Sequence, residues 1–408
     1  MQRYEGTLKR NTTSRRAKRI SPAGNGVCAV GLFAAWTLLL IFLPVATSRA
    51  DDDLAQQIAE YRQKLAAYNA ARAAYDELAN PYWASIAEKR KRRIAKQRNG
   101  EPPDASDYVL EQPPLYSGPP RPQNPEKKEA DSDYIPVVTD FLEHAQEQFG
   151  FTPDRPATDD DYRRAYTRAA LEAGLTAEQC VKVFAFESGG DGGYAVQAGL
   201  EYDRPGARAI STALGYNQLL TTNSVELLAE VGDKILVSLH EKARDADSSR
   251  VEQLRGKIAI LKKMIAFSRT VPDSWSAHSR LASTNKGLGV HALILDIDVG
   301  PLLQVHKLLT SVTYAKRKGY SAPLTAAELE MMNLTGDGNG FDMVTMTDAL
   351  RKKVPTSNFF QKGGYERNPV GIRNNTVAKL LAATDAKMEE EAQLPSAKAL
   401  AAAFREMD

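Results

Sequence analysis

From about residue 134 to the C-terminus, apolar residues recur at intervals of three and four, with no long run of alternation. That spacing commits a chain to helices, because only a 3.6-residue turn brings such positions onto one face. Ile135, Val138, Phe141, Leu142 and Ala145 share a face, and Leu254, Ile258, Leu261 and Ile265 share another. Thr158 with Asp161, and Thr176 with Gln179, have the capping-box spacing that opens a helix, and Pro301 suits a first helical turn. The expected fold class is all-α for residues 132–408, with at most a small hairpin in 194–213, and no internal repeat is visible.

Upstream of that domain the chain changes character three times. Residues 1–26 carry seven Lys and Arg against the single acid Glu5, and residues 27–46 are an apolar run. Ser48-Arg49-Ala50 is a small-x-small site, followed by Asp51, Asp52 and Asp53. This is the order of a secretory signal, and the apolar run is also long enough to span a bilayer. Residues 1–50 therefore read as a signal peptide or a membrane anchor. The rest is expected to be periplasmic or exported, held in the inner membrane by residues 27–46 if the segment is retained. Residues 51–99 read as a helical stalk, with Leu54, Ile58, Tyr61, Leu65 and Tyr68 in heptad positions. Asn80-Pro81 is expected to end its first helix. The second carries the basic residues of 89–98, either a solvated face or a contact with an anionic membrane surface or wall polymer. Residues 100–131 contain eight prolines and read as an extended Pro-rich linker.

Composition excludes some functions. Lys and Arg number 53 against 51 Asp and Glu, a balance that argues against a dedicated nucleic-acid binder. Of the two cysteines, Cys28 lies in the apolar leader, so Cys180 has no partner for a disulfide in the domain and reads as a small core residue. The histidines at 144, 240, 278, 291 and 306 show no metal-ligand spacing. An EF-hand counted from Asp337 would need an oxygen ligand where Phe341 stands and glycine where Asp342 stands. No metal and no cofactor is expected, and a tight glycine loop is left near 336–342.

One stretch concentrates chemistry. Residues 184–190 read Phe-Ala-Phe-Glu-Ser-Gly-Gly, so Glu187 closes an apolar helix that the glycines terminate. A carboxylate at such a mouth loses solvent, which raises its pKa toward the range a general acid needs. Downstream, Gly215-Tyr216-Asn217-Gln218-Leu219 follows a polar connection. Glu187-Ser188 together with Gly215-x-x-Gln218-Leu219 resembles the lytic transglycosylases of the goose-type lysozyme superfamily. The third element of that family, Ala-Tyr-Asn before glycines, has its nearest counterpart in Met332-Asn333 ahead of Gly336, Gly338 and Gly340, with Met where the family has Tyr.

The resemblance implies a lysozyme-like helical domain that cleaves peptidoglycan glycan strands without a cofactor. Glu187 would be the catalytic acid and base, with Ser188 orienting it. Tyr216 and Gln218 would hold the sugar, and Asn333 would complete the site. Two other readings stay open. One is a lysozyme-like muramidase in which Glu201 or Asp203 activates water. The other is a wall-binding scaffold that has kept the fold without the activity.

Overall fold

The computed structural model describes residues 49–126, 134–190, 192–200 and 208–408. The expected signal or anchor segment, apart from its last two residues, lies outside them, as do Glu201 and Asp203. Residues Leu54–Asp408 form one compact unit, which holds the packed cores. Among the described residues no single helix is long and apolar enough to cross a membrane.

The chain is all-α, as its periodicity requires. A long helix, α1 (Arg49–Arg98), is followed by α2 (Val138–Phe149), α3 (Asp159–Glu172) and α4 (Ala177–Ser188). Next come α5 (Thr221–Arg244), α6 (Ser248–Ser268), α7 (Trp275–Ala282), α8 (Asn285–His291) and α9 (Gly300–Arg317). The C-terminal part adds α10 (Ala326–Thr335), α11 (Asp337–Thr345), α12 (Asp348–Arg351), α13 (Lys362–Glu366), α14 (Pro369–Arg373), α15 (Val377–Glu391) and α16 (Pro395–Met407). Among the described residues there is no strand. In place of a hairpin, isolated bridges join Gln197 to Leu214 and Leu214 to Leu219. Thr158 and Thr176 cap α3 and α4, each accepting from the backbone three residues on while Asp161 and Gln179 reach back. Each such cap stabilises its helix by about 1 kcal/mol.

Two cores meet along α9. The first gathers α3, α4, α10 and α16 around Tyr162, Tyr166, Phe184 and Tyr216. The second gathers α2, α5, α6 and α8 around Phe141, Leu228, Leu261 and Ile294. Leu303 of α9 belongs to the second core, and Val305 and Leu308 to the first. The start of α9 is fixed by a buried carboxylate. Asp296 accepts from the backbone N–H of Asp154, Asp298 and Val299 at 2.9, 3.0 and 3.2 Å. Lys257 Nζ lies 2.8 Å from Asp296 and 2.5 Å from Asp298. Burial drives the Asp296 pKa up and Lys257 opposes it. Removing either partner of such a pair strands a buried charge.

The N-terminal part departs from the expected stalk and linker. α1 runs through Asn80-Pro81 without ending. A proline inside a helix costs about 3 kcal/mol, and the packing around it offsets that cost. Tyr75, Ala79, Trp83 and Ile86 form one buried stripe on either side of Pro81, together with Val109 and Tyr365. The stripe continues into Arg93, whose Nε is 2.7 Å from Asp342 Oδ2 in a fully buried ion pair. Tyr108 Oη donates to the other oxygen of Asp342 at 2.7 Å. Arg72 pairs with Glu366 at 2.8 Å.

Within the described part of the Pro-rich run one short stretch is packed against the domain. Residues 104–112 contain no proline. Tyr108 and Val109 are buried there, and the Asn358 side chain bonds both the N–H and the C=O of Val109, at 3.0 and 2.8 Å. Side chains of α1 meet other carbonyls of the run: Tyr75 and Tyr82 donate to those of Pro114 and Glu111, and Arg93 to that of Asp107. Of the basic residues of 89–98, Lys89 donates to the carbonyls of Ser106 and Tyr108, Arg90 to those of Asn358 and Phe360, and Lys96 pairs with Asp104 and Asp107.

Candidate active site

The two cores leave a cleft between them of about 490 Å³. α4 and α10 form one wall and α5 the other, α9 is the floor, and Trp275 stands at the rim. Glu187 reaches the cleft from the last turn of α4. The helix stops there because Gly189 and Gly190 both take left-handed φ, 70° and 68°. At Gly190 a side chain would also strike the Glu391 carbonyl, 2.5 Å from where a Cβ would sit. The stop that the glycines promised is thus enforced by packing as well as by backbone freedom.

Glu187 Oε1 accepts from Asn333 Nδ2 at 3.0 Å. The Glu330 carboxyl lies against Glu187, wholly buried, and its Oε2 has no partner. Burial pushes the Glu187 carboxyl up from 4.5 to about 7, with Lys307, Glu330 and Asn333 acting in the opposite direction. Deeper burial, together with the charge of Glu187, holds Glu330 well above the carboxylate range. Two touching carboxyls cannot both ionise in such a site. Burial is deeper at Glu330, so its carboxyl is raised further than that of Glu187, and Glu187 is the member of the pair that loses its proton more readily.

Gln218 lines the same cleft as Glu187 and Asn333. Its loop is shaped by positive φ at Gly215, 80°, and at Gln218 itself, 43°. Gln304 of α9 backs the loop closely: Asn217 N–H donates to Gln304 Oε1 and Asn217 Nδ2 to the Gln304 carbonyl, both at 2.8 Å. A side chain at 215 would run into the Gln304 amide, so glycine is required there. Gln218 Nε2 is held by the carbonyls of Gly215 and Val196, at 2.8 and 3.2 Å, which turns its oxygen toward other donors. Asn217 also lines the cleft, with a buried side-chain oxygen that no protein group satisfies.

Two expected site residues point elsewhere. Ser188 Oγ donates to the Phe184 carbonyl one turn back at 2.6 Å rather than to Glu187, the usual alternative for a serine inside a helix. Tyr216 is turned into the first core, with ring centroids 4.5 Å from Phe184 and 5.2 Å from both Tyr162 and Tyr166. It is a packing residue, and burial raises its hydroxyl pKa. The aromatic offered to the cleft is Trp275, 50% exposed. Residues 336–342 are not a loop either. Only Gly336 turns, at φ 83°, and α11 starts at once with Asp337, whose carboxyl accepts from Ser311 Oγ at 2.6 Å.

Glu330, Trp275, Lys307 and Glu226 were not read from the sequence. Only Glu330 left a signal there, as an acid flanked by Leu329, Met331 and Met332. His291 is a core residue. It is bonded to Ser224 Oγ and the Thr212 carbonyl, and burial lowers its pKa to about 4. Cys180 is buried, with its thiol pushed up to about 12. No family model, curated protein or solved structure matches the chain.

Proposed function

We propose that this chain is an exported peptidoglycan lytic transglycosylase that uses Glu187 as its single acid and base. The observation that carries the reading is the geometry: a buried carboxyl, its pKa raised by burial to about 7, held by Asn333 and facing a cleft that also contains Gln218. A residue that must first donate and then accept a proton works best with a pKa near the operating pH.

In the proposed reaction, protonated Glu187 gives its proton to the glycosidic oxygen between N-acetylmuramic acid and N-acetylglucosamine as the C1–O bond breaks. The resulting carboxylate takes the proton of the muramoyl 6-hydroxyl, and that oxygen bonds to C1 of its own ring. Glu187 ends protonated, no water is consumed, and the product is a 1,6-anhydro end. The internal nucleophile supplies by proximity what a second carboxylate supplies in hydrolysis. Neutral Glu330 steadies the Glu187 carboxylate midway through by donating to it. Gln218 Oε1 is an acceptor for sugar hydroxyl and amide groups, and Trp275 offers an apolar face to a ring.

One observation favours a second reading. Glu226 lies across the same cleft, half-buried, its pKa raised by burial. It could act as a base toward water, which would make the protein a muramidase. Mass spectrometry of muropeptides released from purified sacculi by the full chain separates the cases. Anhydro-muramic ends support the proposal, and reducible ends support hydrolysis through Glu226. No release, together with retained binding, indicates a wall-binding scaffold.

A further inference from the structure

The cleft does not end at the catalytic pair. Lys307, Ser311, Tyr314 and Lys318 are spaced four, three and four apart, so one face of α9 and its C-cap presents all of them. At 1.5 Å per residue that face is about 16 Å long. Its first half floors the cleft, through Lys307 and Ser311. Its second half, through Tyr314 and Lys318, floors an adjoining groove of about 480 Å³. Gly336 and Asp337, at the turn between α10 and α11, line both spaces and join them. The far wall of the groove is the C-terminal end of α1.

The two spaces carry opposite charge. Five acidic side chains, Glu187, Glu226, Glu230, Glu330 and Asp337, line the cleft with the one cation Lys307, and even with Glu330 protonated the cleft stays acidic. The groove is lined by four cations, Arg90, Arg93, Arg98 and Lys318, against Asp337 and Asp342. Asp342 is already matched by Arg93, and Asp337 is bonded to Ser311. Arg98 and Lys318 are exposed, and neither forms an ion pair with a described residue. Arg90 Nε is buried without a partner. The sugar rings themselves have no use for this field, whereas a carboxylate carried on a branch does.

We propose that this groove is a subsite for the carboxylates of the stem peptide on the muramic acid, so that α1 selects stem-bearing over denuded glycan. The inference rests on the transglycosylase reading and adds a specificity determinant to it. The substrate would lie along α9, with its glycan at the acidic end and its anionic branch at the basic end. α1 thereby becomes a wall of the substrate site.

The test uses the full chain and the double variant Arg98→Glu/Lys318→Glu, both exposed positions outside the catalytic groups. Cleavage is measured on intact sacculi and on sacculi stripped of stem peptides by an amidase. The variant is expected to lose about tenfold in kcat/KM on intact sacculi, roughly 1.4 kcal/mol, and only a small part of that on stripped sacculi, whose carboxylates are the short lactyl groups that the amidase leaves on the muramic acid rings. Raised salt should remove the wild-type preference. Lys91→Glu/Arg92→Glu, on α1 but outside the groove, should behave as wild type on both. Equal losses on the two materials, no loss at all, or the same loss from the control pair would overturn the inference alone. A wild type that neither cleaves nor binds either material would refute the enzyme reading and this subsite with it.

Discussion

The two ends of the α9 trough are built from the same helix face yet work by different physics. At the cleft end, carboxyls are crowded and desolvated until one of them holds its proton to near neutrality. At the groove end, cations face water with their counter-charges already used elsewhere. In the proposed reading, burial serves chemistry at the first and exposure serves recognition at the second. The ends also differ in what holds them. The cleft is closed within residues 134–408, as in Asn333–Glu187 across 146 positions, whereas the groove exists only because α1 returns to residues 249 positions away, as in Arg93–Asp342.

Breaking the cleft end alone should have the largest effect. Glu187→Gln preserves shape but cannot transfer a proton, and loss of general acid–base catalysis costs about 10²- to 10⁴-fold. Because one residue serves both steps, the upper end is expected in kcat, with binding to intact sacculi retained. Near-normal turnover would place the chemistry elsewhere.

Breaking the groove end at its root should show in stability first. Arg93→Ala leaves Asp342 buried and unpaired, which costs about 3–5 kcal/mol. A denaturant midpoint within experimental error of wild type would mean that α1 is not anchored by this pair.

The cleft should also leave a signature in pH-dependent stability. Folded Glu187 holds its proton to about pH 7 while the unfolded chain releases it near 4.5. The folded state therefore binds the extra proton in that window, and stability falls as pH rises through it. Glu187→Gln removes this loss, so the variant should gain on the order of 1–3 kcal/mol over wild type at pH 8 relative to pH 4. An identical pH dependence in the two proteins would contradict the desolvated carboxyl. The smallest effect is expected from Trp275→Ala, a several-fold rise in KM at constant kcat, about 1 kcal/mol of lost stacking.

How much of this was legible in the sequence follows the same division. The helical class, the caps at Thr158 and Thr176, and the stop after Glu187 are local, and local spacing and glycine placement carry them. Glu187, Gln218 and Asn333 could be picked out because each sits in a short motif, and the structure brings all three to one cleft. Tyr216 and Ser188 belong to the same motifs, but which way a side chain turns depends on Phe184, Tyr162 and Gln304, and no spacing encodes that. Glu330 is visible only as an acid among apolar residues. Its meaning depends on contact with Glu187, 143 positions away in the chain. The reading of α1 failed for a related reason. Pro81 and the downstream prolines carry a strong local signal for breaks, and tertiary packing of Tyr75, Trp83 and Arg93 overrode it.

Everything proposed for the cleft depends on Glu187 being a carboxyl held near neutrality by burial beside a neutral Glu330. Carboxyl-selective ¹³C NMR titration of the full chain measures this without any substrate, with Glu187→Gln identifying the resonance. The account predicts a Glu187 midpoint at about pH 7 and no ionisation of Glu330 below it. A Glu187 midpoint close to its ordinary 4.5 would contradict it.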